Sequence, residues 1–357
     1  MESRKTEDKI WNPNIQALRG LSILLVLIAH LFDKPGQFGG LGVGIFFCIS
    51  GYLISDILIK EFSKTGKIDL VKFYLRRARR LLPLAYLVIL AVVLISGLVH
   101  FFPTIFSPIA ASNSYGDFRQ YLLSAIFTIF YIGNFFGLAN LGYKDLSVAL
   151  GHFWTLAVEE QFYLVWPLVL QWVLKYRPRR LTALLVLGIV LTPGIHFFFS
   201  FTNRSSWTLP TSYLDLFFFG TLFAIYRERF ANLRFPLILI ALGSVAVAFL
   251  VYFNVQVEDF SSQGYTLFAF TEITLFLGFL NWAAFGKTRI LRKLGDWSYA
   301  LYCIHWPVIT LLDGMNMNSV VKILLAAFIS RILAALSTKY LETIFWKPRY
   351  RENVNRA

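Results

Sequence analysis

Apolar runs of about 20 residues recur along the whole chain, the length that an α-helix needs to cross the hydrocarbon core of a bilayer. Short polar segments separate these runs. The pattern predicts an all-α fold, a polytopic bundle of transmembrane helices. Its first three spans are expected over residues 14–32, 41–59 and 83–101.

Basic segments alternate with weakly charged ones and predict the orientation of the bundle. Since Lys and Arg are enriched in cytoplasmic loops, both termini are expected in the cytoplasm. Three apolar segments lie between the basic segments at 76–80 and 175–180, yet two segments on one side require an even number of crossings. We therefore predict that residues 121–138, which Gly133, Asn134 and Gly137 interrupt, re-enter without crossing.

The prediction is a bundle of about ten crossings plus one re-entrant segment. Its transmembrane domain is expected over 14–345, with a cytoplasmic segment at 1–13 and a cytoplasmic tail at 346–357. Three glycines of the second span, Gly40, Gly42 and Gly44, follow no predicted strand. They favour close helix packing, through Gly40 and Gly44, over a nucleotide-binding loop.

Composition agrees with a membrane protein. Of 357 residues, 57% are hydrophobic and 15% charged, and the mean hydropathy is +0.61. The net charge of +14 is spread over short loops, so it indicates cytoplasmic loops and not nucleic-acid binding. The only two cysteines, Cys48 and Cys303, lie in apolar runs and predict neither a disulfide framework nor a metal site.

The first span carries two ionisable residues, Arg19 and His30. At a rise of about 1.5 Å per residue they lie roughly 16 Å apart, half of the bilayer core. Ionisable groups within a span are costly, so a functional site is the default hypothesis. The alternative is that Arg19 contacts lipid phosphates and His30 caps the outer end of the helix.

Four arginines cluster before the third span. Arg76, Arg79 and Arg80 have the helical spacing that places them on one face, with Arg77 nearby. Guanidinium groups bind phosphate oxygens in pairs of hydrogen bonds, so the cluster suits a polyphosphate ligand. Positive-inside orientation alone would also explain it.

Two adjacent acids, Glu159 and Glu160, lie in a later span at the predicted depth of His30. A carboxylate at that depth would fix the tautomer of the imidazole, and the neutral ring could then take a proton from a hydroxyl. The alternative for the acids is an ion pair with Arg19 or Arg331. A further span places Tyr302 and His305 on one face, where they would line a tunnel or tie helices together.

Five motifs follow one another along nearly the whole chain. They are ALRGLSILLVLIAH, IFFCISGYLIS, FYLRRARRLLP, GHFWTLAVEEQFYLVWP and WSYALYCIHWP. Together they resemble the acyltransferase-3 family of membrane acyltransferases. The chain departs from the family pattern at Tyr213, where family members often have an arginine two residues before the acid found here as Asp215. Some family members carry a soluble SGNH-hydrolase-like domain after the membrane part, which is not expected here because the sequence ends eleven residues after Trp346.

The resemblance implies an O-acyltransferase of the bacterial cytoplasmic (inner) membrane. Its donor would be cytoplasmic acyl-CoA, most often acetyl-CoA, and its acceptor a hydroxyl of an extracytoplasmic glycan or lipid-linked sugar. Lipopolysaccharide O-antigen, exopolysaccharide, a lipo-oligosaccharide signal, peptidoglycan and a macrolide all fit the acceptor. A transporter and a non-catalytic scaffold for polysaccharide assembly are the alternatives from other classes.

The resemblance also implies roles for the residues above. The cofactor-binding set would be Arg76, Arg77, Arg79 and Arg80 on the CoA phosphates, Arg19 guiding the donor, Ser50 polarising the thioester carbonyl, and Tyr302 and His305 along the tunnel. His30, oriented by Glu159 or Glu160, would be the general base. A ping-pong route through an acyl group on His30 stays open.

Overall fold

A computed structural model describes residues 12–31, 36–107, 109, 118–135, 148–201, 208–230, 235–253, 262–315 and 317–345. Within these ranges the chain forms α-helices and short 3₁₀ turns, and no strand is found among them. The predicted all-α class is confirmed. The helices are α1 Pro13–Leu31, α2 Gly36–Thr65, α3 Leu70–Phe101, α4 Phe118–Ile129, α5 Trp154–Tyr176, α6 Leu181–Phe201, α7 Leu214–Ile225, α8 Arg227–Phe230, α9 Pro236–Tyr252, α10 Ser262–Asn281, α11 Arg289–Asp313 and α12 Ser319–Phe345.

Several of these helices suit a lipid environment. Of the described helices, five are long and apolar enough to cross a membrane: α1, α2, α3, the segment Pro178–Phe199 and α12. Four leucines on one face of α3 are 48–58% exposed, namely Leu87, Leu90, Leu94 and Leu98. Such an apolar exposed stripe suits lipid and not water. The chain is a helical membrane protein, while the number of crossings and the side of the termini stay predictions.

The connecting segment between α2 and α3 is shorter than the predicted spans indicate. The predicted spans at 41–59 and 83–101 leave residues 60–82 between them, but only residues 66–69 lie outside helices. Gly66 has φ +71°, a left-handed conformation that glycine adopts without steric cost and that ends α2. The side chain of Asp69 then accepts a hydrogen bond from the backbone N–H of Lys72 at 3.0 Å, which caps the start of α3.

The segment predicted to re-enter forms a short helix. At twelve residues α4 is about 18 Å long, less than the roughly 30 Å of a bilayer core. The helix ends at Ile129, before the predicted breakers, and Tyr131 has a left-handed φ of 54°. Residues 136–138 of the predicted segment lie outside the described residues, so re-entry stays a prediction.

The chain divides into two compact units. The first comprises Met1–Ile68 and Val165–Ser298, and the second comprises Asp69–Leu164 and Tyr299–Ala357. Each unit is built from separate stretches of the chain, and the predicted transmembrane domain over 14–345 stays a prediction.

In the first unit, α2 packs closely against α7. A Cβ on Gly51 of α2 would overlap the carbonyl oxygen of Phe217, and a Cβ on Gly220 of α7 would overlap the carbonyl oxygen of Cys48. The aromatic ring of Phe47 lies 4.8 Å from that of Phe217 beside this crossing. Small residues at both positions thus allow the two backbones to touch.

The start of α1 is anchored within the same unit. The side-chain amide of Asn14 donates to the carbonyl oxygens of Leu280 at 2.7 Å and Trp282 at 3.1 Å. These carbonyls belong to the end of α10 and the residues after it, where no further helical turn is present to satisfy them. One buried side chain therefore caps α10 and fixes where α1 begins.

In the second unit, tyrosine hydroxyls fasten α3 to its neighbours. Tyr74 of α3 donates to the carbonyl oxygen of Leu164 in α5 at 2.7 Å. Tyr299 of α11 donates to the carbonyl oxygen of Leu81 in α3 at 2.5 Å. These bonds satisfy polar groups inside the protein, as a lipid surrounding requires.

The α2–α7 crossing yields a stability prediction. Gly51→Ala should lower the free energy of unfolding by about 1–3 kcal/mol, the usual cost of overpacking, because the new methyl group has to displace the backbone of α7. Gly194→Ala in α6 is the matched control, since no atom lies within 4 Å of a Cβ there. Thermal denaturation of the purified proteins measures both changes, and equal melting temperatures would contradict the crossing.

Candidate functional site

The predicted site residues are divided between the two units. Arg19, His30 and Ser50 lie in the first unit. The remaining candidates lie in the second: Arg76, Arg77, Arg79, Arg80, Glu159, Glu160, Tyr302 and His305. The predicted pairing of His30 with one of the glutamates stays a prediction.

His30, at the end of α1, has a defined tautomer. Its Nδ1 lies 2.8 Å from the carbonyl oxygen of Val26, and because a carbonyl can only accept, Nδ1 donates. The Nε2 of the neutral ring then carries the lone pair that a general base needs. Cε1 of the ring lies 3.9 Å from the position of a Cβ on Gly39, so the imidazole stands beside the first turns of α2. The backbone thus performs the tautomer-fixing role that the sequence analysis gave to a carboxylate.

Arg19 and Ser50 lie at close helix crossings of the first unit. Arg19 is half-buried and precedes Gly20, where a Cβ would overlap the carbonyl oxygen of Leu291 in α11. Ser50 is buried and precedes Gly51 of the α2–α7 crossing. Both side chains are therefore carried by backbone that packing holds in place.

The arginine cluster belongs to α3 and not to a loop. Because α3 is helical from Leu70, Arg76, Arg79 and Arg80 share a face as predicted. Arg77 points elsewhere: its guanidinium carbon lies 4.2 Å from the ring centroid of Tyr163 in α5. That distance makes a cation–π contact. Arg77 therefore differs from the other three in its surroundings.

Three consecutive polar residues of α5 have different partners. Glu159 accepts a hydrogen bond from the hydroxyl of Tyr163 at 3.0 Å. The charge of Glu160 interacts with that of Arg77. Gln161 donates to the backbone carbonyl of Tyr131 at 2.7 Å. Successive helical residues point about 100° apart, which explains why their partners differ: Tyr163 of α5 itself for Glu159, α3 for Glu160 and the turn after α4 for Gln161.

The turn after α4 was missed as part of a site. The side chains of Gln161 and Asn134 exchange two hydrogen bonds, of 2.9 and 3.1 Å, and hold this turn against α5. The turn carries Tyr131, whose left-handed φ is uncommon for a residue with a side chain. Glycine and asparagine at 133 and 134 indicated only a helix break, and no local pattern revealed the partner on α5.

Tyr302 and His305 of α11 lie close together, and His152 joins them. The three ring centroids are 5.4–5.6 Å from one another, and all three side chains are buried. The hydroxyl of Tyr302 donates to the carbonyl oxygen of His152 at 2.9 Å and accepts from the hydroxyl of Thr155 at 2.5 Å. The prediction that Tyr302 and His305 share a face is confirmed, whereas His152 was not proposed as a site residue.

The first unit also buries acids that the sequence analysis did not assign to a site. Asp215, at the start of α7, accepts from the hydroxyl of Tyr265 at 2.5 Å and from the backbone N–H of Leu216 at 2.8 Å. The carboxyl group of Glu272 packs where a Cβ on Gly44 would stand. A single acid within an apolar run, as at Glu272, was the available signal. Of the two predicted packing glycines, Gly44 is thus confirmed to lie at a contact with another helix.

Comparison with known proteins places these residues in a family context. The sequence model of a family described as "Acyltransferase domain" matches residues 12–339. The chain is similar to "O-acetyltransferase OatA" of Staphylococcus aureus, with 29% identity over 356 residues, covering 93% of this chain and 56% of the relative. It is equally similar to "Peptidoglycan O-acetyltransferase OatA" of Listeria monocytogenes, with 29% identity, 93% of this chain and 55% of the relative.

The chain spans little more than half the length of these curated relatives. No solved structure matches it. The resemblance inferred from the five motifs is confirmed by the family match, which includes every proposed site residue.

The surroundings of Arg77 yield a second prediction. Arg77→Gln should lower the free energy of unfolding, because Glu160 then loses the favourable charge of Arg77 and Tyr163 loses its cation–π contact, and Glu160→Gln is the second single variant. The double variant should be less destabilised than the sum of the single variants, with a coupling of about 0.5–3 kcal/mol. Denaturation of the four proteins measures the coupling. Strict additivity would show that the two charges do not interact.

Proposed function

Because the chain belongs to the acyltransferase-3 family of membrane acyltransferases, we propose that it transfers an acetyl group from cytoplasmic acyl-CoA to a hydroxyl of an extracytoplasmic cell-wall glycan. One observation in the structure supports this most directly. His30 uses Nδ1 on the carbonyl of Val26, so its Nε2 is the acceptor nitrogen that can take a hydroxyl proton.

Peptidoglycan is the acceptor that we propose among those the sequence left open. The relative from Listeria monocytogenes carries peptidoglycan O-acetylation in its name. The same relatives favour acetyl over longer acyl groups, since both are named O-acetyltransferases. We place the reaction in the cytoplasmic (inner) membrane, between a donor made in the cytoplasm and a glycan outside it.

The proposed chemistry needs one base and no further activation of the donor. Nε2 of His30 removes the proton of the acceptor hydroxyl while its oxygen attacks the thioester carbonyl. The C–O bond forms, the C–S bond breaks, and the proton passes from the imidazole to the CoA thiolate. Ser50 would polarise the carbonyl of the thioester. An acyl group carried temporarily by His30 is the ping-pong alternative.

Donor binding is assigned to the basic face of α3. Arg76, Arg79 and Arg80 would hold the CoA phosphates through paired hydrogen bonds, and Arg19 would guide the donor along α1. Arg77 was included in this set, but its contact with Tyr163 and its interaction with Glu160 support a positioning role on α5.

The first test asks whether the thioester is used. Wild-type protein with acetyl-CoA and a peptidoglycan disaccharide should release CoA thiol and form an ester detectable by mass spectrometry. His30→Ala should reduce the rate by a factor of about 10²–10⁴, the usual contribution of a general base. His100→Ala, at the exposed end of α3, is the control and should keep the wild-type rate. Absence of thiol release in the wild type would favour a transporter, and an unchanged ester yield in His30→Ala would favour a scaffold.

A further prediction concerns the two glutamates. Adjacent helical residues point about 100° apart, so only one of them can face His30 and stabilise its protonated form, while Val26 already sets the tautomer of the neutral ring. Glu159→Gln and Glu160→Gln should therefore differ in transfer rate, one close to wild type and the other strongly reduced. Rates are compared at equal amounts of folded protein, since Glu160→Gln also removes a charge partner of Arg77. Equal rates in the two variants would remove the glutamates from the mechanism.

A further inference from the structure

Helix α12 carries an arginine in the middle of an apolar stretch. Arg331 lies near the centre of Ser319–Phe345, and its side chain is exposed. Across the residues that the structure describes, its guanidinium takes part in no ion pair, hydrogen bond or ring contact. An exposed charge within a membrane span is costly, so its presence calls for a group that compensates it.

The depth of Arg331 follows from the two ends of the stretch. Lys322 pairs with Asp313 at 2.6 Å near one end, and near the other Lys339 lies 5.0 Å from the ring centroid of Tyr340. Lysine and tyrosine are typical of the boundary between lipid and water. Arg331 comes nine residues after Lys322 and eight before Lys339. These separations are about 13 Å and 12 Å along the helix, so the charge lies near the middle of the bilayer.

The side of α12 that carries Arg331 is turned away from the rest of the described protein. At helical spacing along this side, which we call the Arg331 face, lie Val320, Leu324, Ala327, Phe328 and Arg331. Its three large apolar side chains are 58–64% exposed. The helix packs against α3, yet only 17% of its apolar stretch is buried, the lowest share among the five described candidate spans.

Neither the described part of the chain nor the lipid compensates this charge. The sequence analysis considered ion pairs of Arg331 with the two glutamates of α5. In the structure Glu159 accepts a hydrogen bond from Tyr163, and the charge of Glu160 interacts with that of Arg77. Lipid phosphates have the matching charge, but they lie at the boundary, beyond the reach of a side chain at mid-depth. The matching group therefore has to be a carboxylate that another molecule holds within the membrane.

We propose that the Arg331 face binds a transmembrane helix of a second protein, one that carries an aspartate or glutamate at mid-membrane depth. The carboxylate accepts paired hydrogen bonds from the guanidinium. Ala327 is small enough to let the two helices approach closely, and Leu324 and Phe328 pack against the partner on either side of it. The inference is independent of acyl transfer, because the proposed reaction gives Arg331 no role.

A second copy of this chain does not supply the matching carboxylate. A two-fold dimer formed through the Arg331 face would bring two guanidinium groups together, which repel each other. The acids within the apolar parts of the described helices are buried or engaged inside the chain, namely Asp56, Glu159, Glu160, Asp215 and Glu272. The partner helix therefore belongs to a different protein.

The test uses the full chain in liposomes and a synthetic transmembrane peptide of leucine and alanine with one glutamate at its centre. A matched peptide has glutamine in that place. Energy transfer between labelled protein and labelled peptide measures the Kd in the bilayer. Wild-type protein should bind the glutamate peptide about tenfold more tightly than the glutamine peptide, and Arg331→Gln should bind both equally. Arg331→Lys should keep part of the preference, since it keeps the charge. Equal affinity of the wild type for both peptides would overturn the proposal.

Two exposed leucines of α12 provide a matched pair of variants. Leu324 is on the Arg331 face, and Leu333, which is 41% exposed, comes nine residues later and points to the opposite side of the helix. Leu324→Ala should weaken the binding of both peptides, whereas Leu333→Ala should leave the Kd at the wild-type value. Equal effects of the two substitutions would show that the peptide does not bind at this face.

Three further results would each contradict the proposed partner. The protein alone should melt at the same or a higher temperature after Arg331→Gln, because an exposed charge is removed from hydrocarbon. A lower melting temperature would mean that Arg331 stabilises its own chain. Binding of phosphatidylglycerol that Arg331→Gln abolishes would identify a lipid as the occupant. Dimers in the wild type that Arg331→Gln converts to monomers, counted by single-molecule bleaching, would identify a second copy.

Discussion

Close approach of helix backbones at small residues is the constraint on which the first unit depends. Helix α2 touches α1 at Gly42, where a Cβ would meet the carbonyl oxygen of Ser22, and touches α7 at Gly51. Lipid supplies no hydrophobic force between helices, so dispersion contacts and weak Cα–H···O contacts at short distance have to hold them. Any side chain at these positions would separate the helices that carry His30 and Ser50. The positions of the candidate residues therefore depend on residues that take no part in chemistry.

The helical membrane class could be predicted from the sequence, because apolar runs of about 20 residues suit transmembrane helices and few other structures. The shared face of Arg76, Arg79 and Arg80 could also be predicted, since helical spacing alone determines it. The exact start of α3 could not be predicted. It depends on the left-handed Gly66 and on the cap from Asp69, two local features that outweigh the basic composition of the stretch.

Partners between distant parts of the chain could not be read from the sequence. The interaction of Arg77 with Glu160 and the bond from Gln161 to Tyr131 depend on how α3, α4 and α5 are placed. Spacing predicts which residues of one helix share a face, and it says nothing about which face meets which helix. The family resemblance supplied the candidates, but only coordinates distinguish Arg77 from its neighbours.

The histidines are a second case in which the sequence does not predict the surroundings of a side chain. Four of them, His30, His152, His196 and His305, each place one ring nitrogen at a backbone carbonyl. The sequence analysis assigned roles to His30 and His305 from their place in a span and gave none to His152 or His196. In the structure the surroundings of the rings differ: His30 stands beside Gly39 in the first turns of α2, His152 and His305 contact each other, and His196 stacks on Tyr265. The surroundings of a histidine, and not its residue type alone, distinguish a candidate catalytic residue from a structural one.

The three polar residues in a row on α5 restrict how this helix can move. Glu160 faces the charge of Arg77 on one side, and Gln161 is bonded to Asn134 and to the Tyr131 turn on another. A rotation of α5 about its own axis would break the hydrogen bonds of Gln161 and move Glu160 away from the charge of Arg77. The direction in which the two acids point is therefore set by the neutral amide that follows them in the sequence.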